Sequence, residues 1–241
     1  MKTTSAPRYI SSLPLKLQNG FVTYFPRKHF GFLRHSVQDK YYSHPLLLSK
    51  PLQHSTAAPL PESYRFGLID DTRLQQMLSH PEALPASVYY NRLAKGDLCY
   101  FLSVNDELVN YQWLSISQCG IFRGFDKGVD FLALAPHQAY TYDFYTYCNK
   151  RKFGYGTILK QQLLADLASR HCSELLSCVM HDNLESLKIH MKLNYSLKAL
   201  PCNFRLMDWQ WTTWGNDKQV DETRQWLERF TRNLSDRNRQ A

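Results

Sequence analysis

The sequence predicts a mixed α/β fold, with a mainly antiparallel central sheet flanked by helices. Three observations lead to it. Two helical segments come first, aromatic and β-branched runs follow from 98 to 117, and strands alternate with helices from 139 onward. Strands joined by short turns pair antiparallel, whereas strand–helix alternation is typical of α/β units. With 241 residues, 44% of them hydrophobic, the chain can bury a substantial core.

Caps and turns set the elements before residue 136. Residues 70–80 form a helix capped by Asp70 or Asp71, and a second helix within 85–94 ends at Gly96. Residues 98–105 and 108–117 form a hairpin around Asp106 and Glu107. A further strand is expected at 129–136.

The later elements follow the same logic. We expect a long strand at 139–148, a helix at 156–170, a strand at 173–181 and a helix at 182–194. One or two more strands lie between 195 and 214. Residues 218–238 form an amphipathic helix, whose apolar side chains are Val220, Trp226, Leu227, Phe230 and Leu234.

The positive charge is concentrated at the N-terminal end. Residues 1–60 hold eight Lys/Arg and one acid, a net of +7, whereas the other 181 residues hold 21 cations and 20 anions. Residues 43–63 contain four prolines and read as a loop or linker. The predicted organisation is therefore a basic extension over 1–60, free or packed on a main domain over 61–241 that ends in the C-terminal helix.

The basic segment allows two interpretations. It is a solvated arm, or it docks an acidic partner such as nucleic acid, a carrier protein or an anionic surface. Its interleaved aromatics, in FVTYFPRKHFGFLRHSVQDKYY, suit base stacking and equally suit a hairpin with one buried face. No nucleic-acid motif accompanies them, so nucleic acid is the less favoured partner.

Cysteine usage and hydropathy indicate a cytoplasmic protein. The six cysteines are scattered without CxxC or Cys/His ligand spacing, so we expect reduced thiols and no metal. No run of about 18 apolar residues is present, so we expect no membrane span. The first residues lack the apolar run of a secretory signal.

One motif carries chemistry: NKRKFGYGT, residues 149–157. Three cations precede Gly154 and Gly156, and a helix follows. A helix start has unpaired N–H groups and partial positive charge, and glycine lets the backbone approach a bulky anion. The motif therefore predicts a phosphate or pyrophosphate site, against the alternative of a left-handed turn with a solvated basic rim. Leu159 stands where a dinucleotide GxGxxG motif would need glycine.

The surrounding span resembles the conserved core of the GNAT superfamily of N-acetyltransferases. The matching features are Arg151-x-x-Gly154-x-Gly156, then Asn183-x-x-Ser186, then Lys192-Leu193-Asn194-Tyr195. The resemblance covers residues 139–196 well and 62–135 more weakly. Two positions depart from the family pattern. Asn194 replaces a glycine, and asparagine tolerates positive φ best among the other residues; Cys148 replaces a frequent proline.

The resemblance implies acetyl-CoA as co-substrate. Its pyrophosphate would lie on the amides of residues 152–157, and its pantetheine would run along strand 142–148, in a gap toward strand 174–181. The implied cofactor-binding residues are Thr146, Cys148, Arg151, Lys152, Phe153, Gly154, Tyr155, Gly156, Thr157, Asn183 and Ser186. Asn183 has an alternative role in a helix cap, because Asp182 and Glu185 form a D-x-x-E box.

The resemblance also suggests catalytic groups. A backbone N–H near Thr146 would polarise the thioester carbonyl. His190 stands where the family commonly has a tyrosine that protonates the leaving thiolate; alternatively it is a surface or packing residue. Asp143, or second Asp130, would take the proton of the amine, if it faces a desolvated cleft rather than solvent.

The predicted function is transfer of an acetyl or other acyl group from CoA to a primary amine. The acceptor would be a small molecule or a protein, and the amine would attack the thioester directly in a ternary complex. Two alternatives stay open: an acyltransferase whose donor is an acyl carrier protein docked on the basic segment, and a non-catalytic module of this fold that binds nucleic acid.

Overall fold

The computed structural model describes residues 42–43, 45–53, 55–116, 118–120, 131–206 and 209–240. These residues form a mixed α/β fold, as the sequence predicts. The strands are β1 (Tyr42–Ser43), β2 (Pro45–Pro51), β3 (Tyr64–Leu68), β4 (Leu98–Val104), β5 (Glu107–Ser115), β6 (Gln118–Gly120), β7 (Phe131–Ala133), β8 (Gln138–Thr146), β9 (Glu174–Met180), β10 (Ser196–Ala199), β11 (Pro201–Leu206) and β12 (Trp209–Trp214). The α-helices are α1 (Asp71–Ser79), α2 (Ala86–Ala94), α3 (Tyr155–Ser169), α4 (Leu184–Lys192) and α5 (Asp217–Gln240).

Seven strands form the main sheet, in the order β10-β2-β9-β8-β5-β4-β3. The pairs β3–β4, β4–β5, β5–β8 and β2–β10 are antiparallel, whereas β8 and β9 are parallel. A three-stranded sheet has the order β1-β11-β12. None of the helices in the described residues is long and apolar enough to cross a membrane.

The described residues divide into two compact units. Unit I takes those up to Ser49, Gly120, 131–133 and those from Cys178 onward; unit II takes 50–119 and 134–177. The predicted division at residue 60 stays a prediction, because its basic segment lies largely in residues 1–41, outside the described residues.

Unit II contains the predicted hairpin. Its turn lies at Asn105 and Asp106, one residue earlier than predicted, with φ of 50° and 63°. A two-residue hairpin turn that matches strand twist needs positive φ at both central positions, which Asn and Asp tolerate. In α1, the Asp70 carboxylate accepts from the Arg73 backbone N–H at 2.7 Å, which settles the cap between the two candidates.

Both faces of this part of the sheet are buried. One face packs with α1 and α2 in a cluster that includes Met77, Tyr89 and Trp113. The other packs with α3 in a cluster of Leu102, Val109 and Leu159. Side chains that point to either face of β5 therefore lie inside the protein.

Several predicted strands are corrected by the structure. Residues 45–51 were expected within a linker, but they form β2, whose Leu46, Leu47 and Leu48 are at most 3% exposed. Pro45 occupies the first position of the strand, where a missing backbone donor is tolerated. The predicted strand at 129–136 ends at Ala133 (β7, Phe131–Ala133), and the described residues between 195 and 214 form three strands rather than one or two.

The end of α4 confirms the prediction for Asn194. Its φ is 58°, in the left-handed region, and the Tyr195 N–H donates to the His190 carbonyl at 3.1 Å. Asparagine therefore makes the turn in place of glycine.

Candidate functional site

Strand β8 extends past its parallel partner. The register with β9 runs from Gln138–Glu174 to Thr141–Ser177, and a hydroxyl–hydroxyl hydrogen bond joins the last pair. Strand β8 continues to Thr146, paired with β5 along its other edge. The outer peptide groups of residues 142–146 therefore lie beyond the parallel register.

A β-bulge interrupts β8 in this extension. Gln112 pairs with Phe144 and Trp113 with Tyr142, so Asp143 is the extra residue, and its φ is 46°. Bulges are common beside active sites, and a positive φ on a non-glycine residue costs of order 1–3 kcal/mol. The surrounding contacts must therefore stabilise this backbone.

A buried cation holds the bulge residue. The Arg92 guanidinium donates to the Asp143 carboxylate at 2.5 Å, and the two side chains are 8% and 14% exposed. Arg92 also lies over the rings of Trp113 and Tyr142, at 5.0 and 5.1 Å. Asp143 thus lies in a buried ion pair, and its role as a base stays a prediction. Asp130, the second candidate, lies outside the described residues.

Next to this pair, Tyr142 donates its hydroxyl to Asp97 at 2.6 Å. Burial, and then this hydrogen bond, raise the pKa of Tyr142 well above its usual range. On the same strand, Tyr145 donates to Glu82, and burial followed by that bond raises the pKa of Tyr145 as well. Both tyrosines are therefore neutral hydrogen-bond donors near neutral pH.

The segment between β8 and α3 carries the predicted cations. A short 3-10 helix spans Cys148–Lys150. Lys150 pairs with Glu107 at 2.6 Å, and Arg151 donates Nε–H to the Thr146 carbonyl at 3.1 Å while lying 5.6 Å from the Tyr145 ring. Arg151 is thereby oriented at the end of the β8 extension.

Helix α3 starts as the motif predicts. Gly154 is the N-cap with φ 81°, and no side chain caps the first turn. A methyl group added at Gly154 would have no atom within 4 Å, so the space beside the backbone is open. Lys152 also has a positive φ, 71°. Two left-handed residues thus flank Phe153, which is 66% exposed and stacks on Tyr155 at 5.7 Å.

The remaining predicted residues of unit II lie in the same stretch. The Thr146 hydroxyl accepts from the Asn110 side chain. Cys148 is exposed, whereas Gly156 is buried in the first turn of α3 and Thr157 follows it. The structure therefore brings Thr146, Cys148 and residues 151–157 together around one strand end and one helix start. The predicted N–H donor near Thr146 stays a prediction.

Three predicted residues belong to unit I. Asn183, not Asp182, is the N-cap of α4, because the helix begins at Leu184; the Asn183 side chain accepts from the Ser186 N–H at 3.1 Å. His190 is 2% exposed, and its Nδ1 lies 2.7 Å from the Ser186 carbonyl. A carbonyl oxygen only accepts, so Nδ1 carries the hydrogen. The ring of Tyr195 meets His190 edge to face at 4.7 Å. Cofactor contact by Asn183 or Ser186, and proton donation by His190, stay predictions.

Three functional candidates were missed from the sequence: Arg92, Gln112 and Lys160. Lys160 is 1% exposed, and its Nζ donates to Gln112 Oε1 at 3.0 Å. Burial lowers the pKa of Lys160 from 10.5 to about 7. Lys160 could have been found from the sequence. It lies on the helical stripe of Leu159 and Leu163, so periodicity places a cation at a core position.

The fold is similar to that of several solved proteins. Neither protein-family models nor curated proteins match the sequence. Among solved structures, the GCN5-related N-acetyltransferase from Kribbella flavida is similar, with 12% identity, a TM-score of 0.42, and coverage of 70% of this chain and 61% of that one. A GNAT-family acetyltransferase from Novosphingobium aromaticivorans matches with 13% identity, a TM-score of 0.44, and coverage of 65% and 60%.

The ribosomal-protein-S18-alanine N-acetyltransferase from Escherichia coli matches with 12% identity, a TM-score of 0.42, and coverage of 54% of this chain and 76% of that one. This chain spans 61% and 60% of the length of the Kribbella flavida and Novosphingobium aromaticivorans structures, less than two thirds of either. The similarity is one of fold, over a segment of the chain, to acetyltransferases of the GNAT family.

Proposed function

We propose that this protein is an N-acyltransferase that moves an acyl group from a CoA thioester to a primary amine. One observation carries the proposal. Strand β8 runs past its parallel register with β9 and leads, through a basic segment, into a helix that begins at a left-handed glycine without a side-chain cap.

These groups fit the chemistry of a CoA thioester. A pyrophosphate needs N–H donors and positive charge, which an uncapped helix start and exposed cations provide. The open space beside Gly154 lets such an anion approach the backbone. A pantetheine arm carries two amide groups, and a strand edge offers them peptide partners. Residues 152–157 would thus hold the pyrophosphate, and residues 142–146 the pantetheine.

The bound thioester supplies an activated acyl group that a neutral amine can attack directly. The chain's own part is to bind and orient. Arg151 uses Nε to hold the end of β8, and a guanidinium has two further nitrogens with which to meet an anion.

The test is a free-thiol assay with acetyl-CoA and longer acyl-CoAs against a panel of small-molecule and peptide amines. Thermal unfolding with CoA and acetyl-CoA provides an independent measure, since tight binding to the native state raises the melting temperature. We expect a rise with both ligands and thiol release with at least one amine. No rise with any CoA thioester would refute the proposal.

Two matched variants test the site. Gly154→Ala and Gly96→Ala each place a methyl at a glycine of positive φ, 81° and 83°, with nothing within 4 Å. Both should lose a similar stability, about 1–2 kcal/mol. Only Gly154→Ala should weaken CoA binding, because only Gly154 begins α3. Equal binding by the two variants would contradict this placement of the pyrophosphate.

A further inference from the structure

A buried lysine lies beside the β8 extension. Lys160 projects from α3 onto the sheet, where its Nζ lies 4.8 Å from the centre of the Phe144 ring and donates to Gln112 Oε1. Placing a charged group in such surroundings is costly unless it makes specific bonds. The arrangement therefore calls for a role beyond filling space.

Gln112 passes the contact on to β8. Its side chain is 1% exposed, and its Nε2 donates to the Tyr142 carbonyl at 2.6 Å and, more weakly, to the Trp113 carbonyl at 3.4 Å. A carbonyl oxygen only accepts, so the NH₂ group of Gln112 faces Tyr142 and its Oε1 faces Lys160, whose Nζ–H donates to it in either protonation state. Lys160 thus supports the amide orientation that directs the NH₂ group toward Tyr142.

The carbonyl of Tyr142 directly precedes the bulge. A bulge leaves its extra residue outside the ladder, so a side-chain donor at this carbonyl replaces what regular pairing would provide. Arg92 holds the Asp143 carboxylate, and Gln112 holds the preceding carbonyl. The left-handed backbone of Asp143 is therefore held from a side chain on α2 and from a relay that starts on α3.

We propose that Lys160 is a positioning residue, which holds the β8 bulge through Gln112 and so places the peptide groups of residues 142–146 for acyl transfer. The inference rests on the proposed function for its catalytic consequence. Displacing reacting groups by about 1 Å can cost about a hundredfold in rate. Loss of the relay should thus lower kcat and leave binding of the pyrophosphate loop largely intact.

Three variants separate this role from simple burial. Lys160→Met removes the first donor. Gln112→Glu keeps a partner for Lys160 but cannot donate to the Tyr142 carbonyl. Leu163→Met is the control, because Leu163 is a fully buried residue of the same helix with no part in the relay. If Lys160 were merely structural, Gln112→Glu would be as active as the wild type, since Lys160 would keep an acceptor at position 112.

The measurements are kcat, the dissociation constant for acyl-CoA, and amide hydrogen exchange over residues 142–146 in the ligand-free protein. We expect Lys160→Met and Gln112→Glu to lose about ten- to a hundredfold in kcat, to keep acyl-CoA affinity within about threefold, and to exchange faster. Leu163→Met should match the wild type in all three. Wild-type kcat in Gln112→Glu, or unchanged exchange in both relay variants, would overturn the inference.

Exchange keeps this test separate from that of the proposed function. If the wild type transfers no acyl group to any amine, the proposed function fails, and exchange alone decides whether the relay holds the bulge. Faster exchange in both relay variants and not in Leu163→Met supports the relay; any other pattern overturns it.

Discussion

Replacing Lys160 with methionine should change how the stability of the protein depends on pH. Lys160 is 1% exposed, and burial lowers its pKa from 10.5 to about 7. Between these values the unfolded lysine is charged while the native one is largely neutral, so the unfolded state binds more protons. The free energy of unfolding therefore rises with pH across this window and falls as pH drops toward 7.

The size of the effect follows from the width of the window. Stability changes by about 1.4 kcal/mol per pH unit where the unfolded lysine is charged and the native one neutral. Near pH 7 the native lysine is about half protonated, so the slope is about half as steep. Between pH 7 and pH 9 the contribution of Lys160 should thus grow by about 2 kcal/mol. Lys160→Met lacks this pH-dependent contribution, because methionine has no titrating group; its similar length preserves the packing.

Urea unfolding of both proteins at pH 6, 7, 8 and 9 measures this difference. Subtracting the free energy of unfolding of the variant from that of the wild type removes the contributions of the tyrosines and cysteines that titrate at high pH. The variant also leaves Gln112 Oε1 without its lysine donor, which changes the free energy of unfolding by the same amount at every pH. Lys95→Met is the control, since Lys95 is an exposed lysine of the same unit. A wild-type-minus-variant difference that stays flat from pH 7 to 9 would refute the reasoning.

Three further predictions concern the backbone and the thiols. Lys152→Gly should raise the free energy of unfolding by about 1 kcal/mol, because glycine adopts a φ of 71° without strain, and should weaken CoA binding through the lost cation; urea unfolding and calorimetric titration check both. Asn194→Ala should cost about 1 kcal/mol and Asn194→Gly little, since φ is 58°, and equal losses in urea unfolding would contradict this. Exposed Cys148 should react with a thiol reagent in the folded protein, whereas Cys99, whose pKa burial raises, should react only on unfolding; mass spectrometry that finds native Cys99 modified would disprove this.

Local patterns predicted most elements of the fold. Several features depend only on residues a few positions apart: the hairpin over β4 and β5, the Asp70 cap, the start of α3 at a glycine, and the positive φ of Asn194. In each, the side chain or the backbone conformation of one residue shapes the adjacent turn. Strands β2 and β3 are the main exceptions: four prolines in 43–63 suggested a linker, and no strand was predicted over Tyr64–Leu68. Strand β2 lies between β10 and β9 in the main sheet, and no pattern within residues 45–51 reports this.

The residues of the proposed CoA site were also predicted from local features. Arg151, Gly154 and Gly156 lie at or beside a helix start, and all the cofactor-binding residues predicted in unit II lie within 146–157. Their pattern is therefore readable along the chain.

Long-range packing set the interior of the site. Asn110 and Gln112 alternate with Tyr111 and Trp113 along β5, a pattern that alone suggests one solvated face, but α3 covers that face and both polar residues are at most 1% exposed. Gln112 meets Lys160 across 48 positions, and Arg92 meets Asp143 across 51. Periodicity shows which residues share a face of an element; which element then covers that face, and which charges it brings together, depends on contacts between distant parts of the chain.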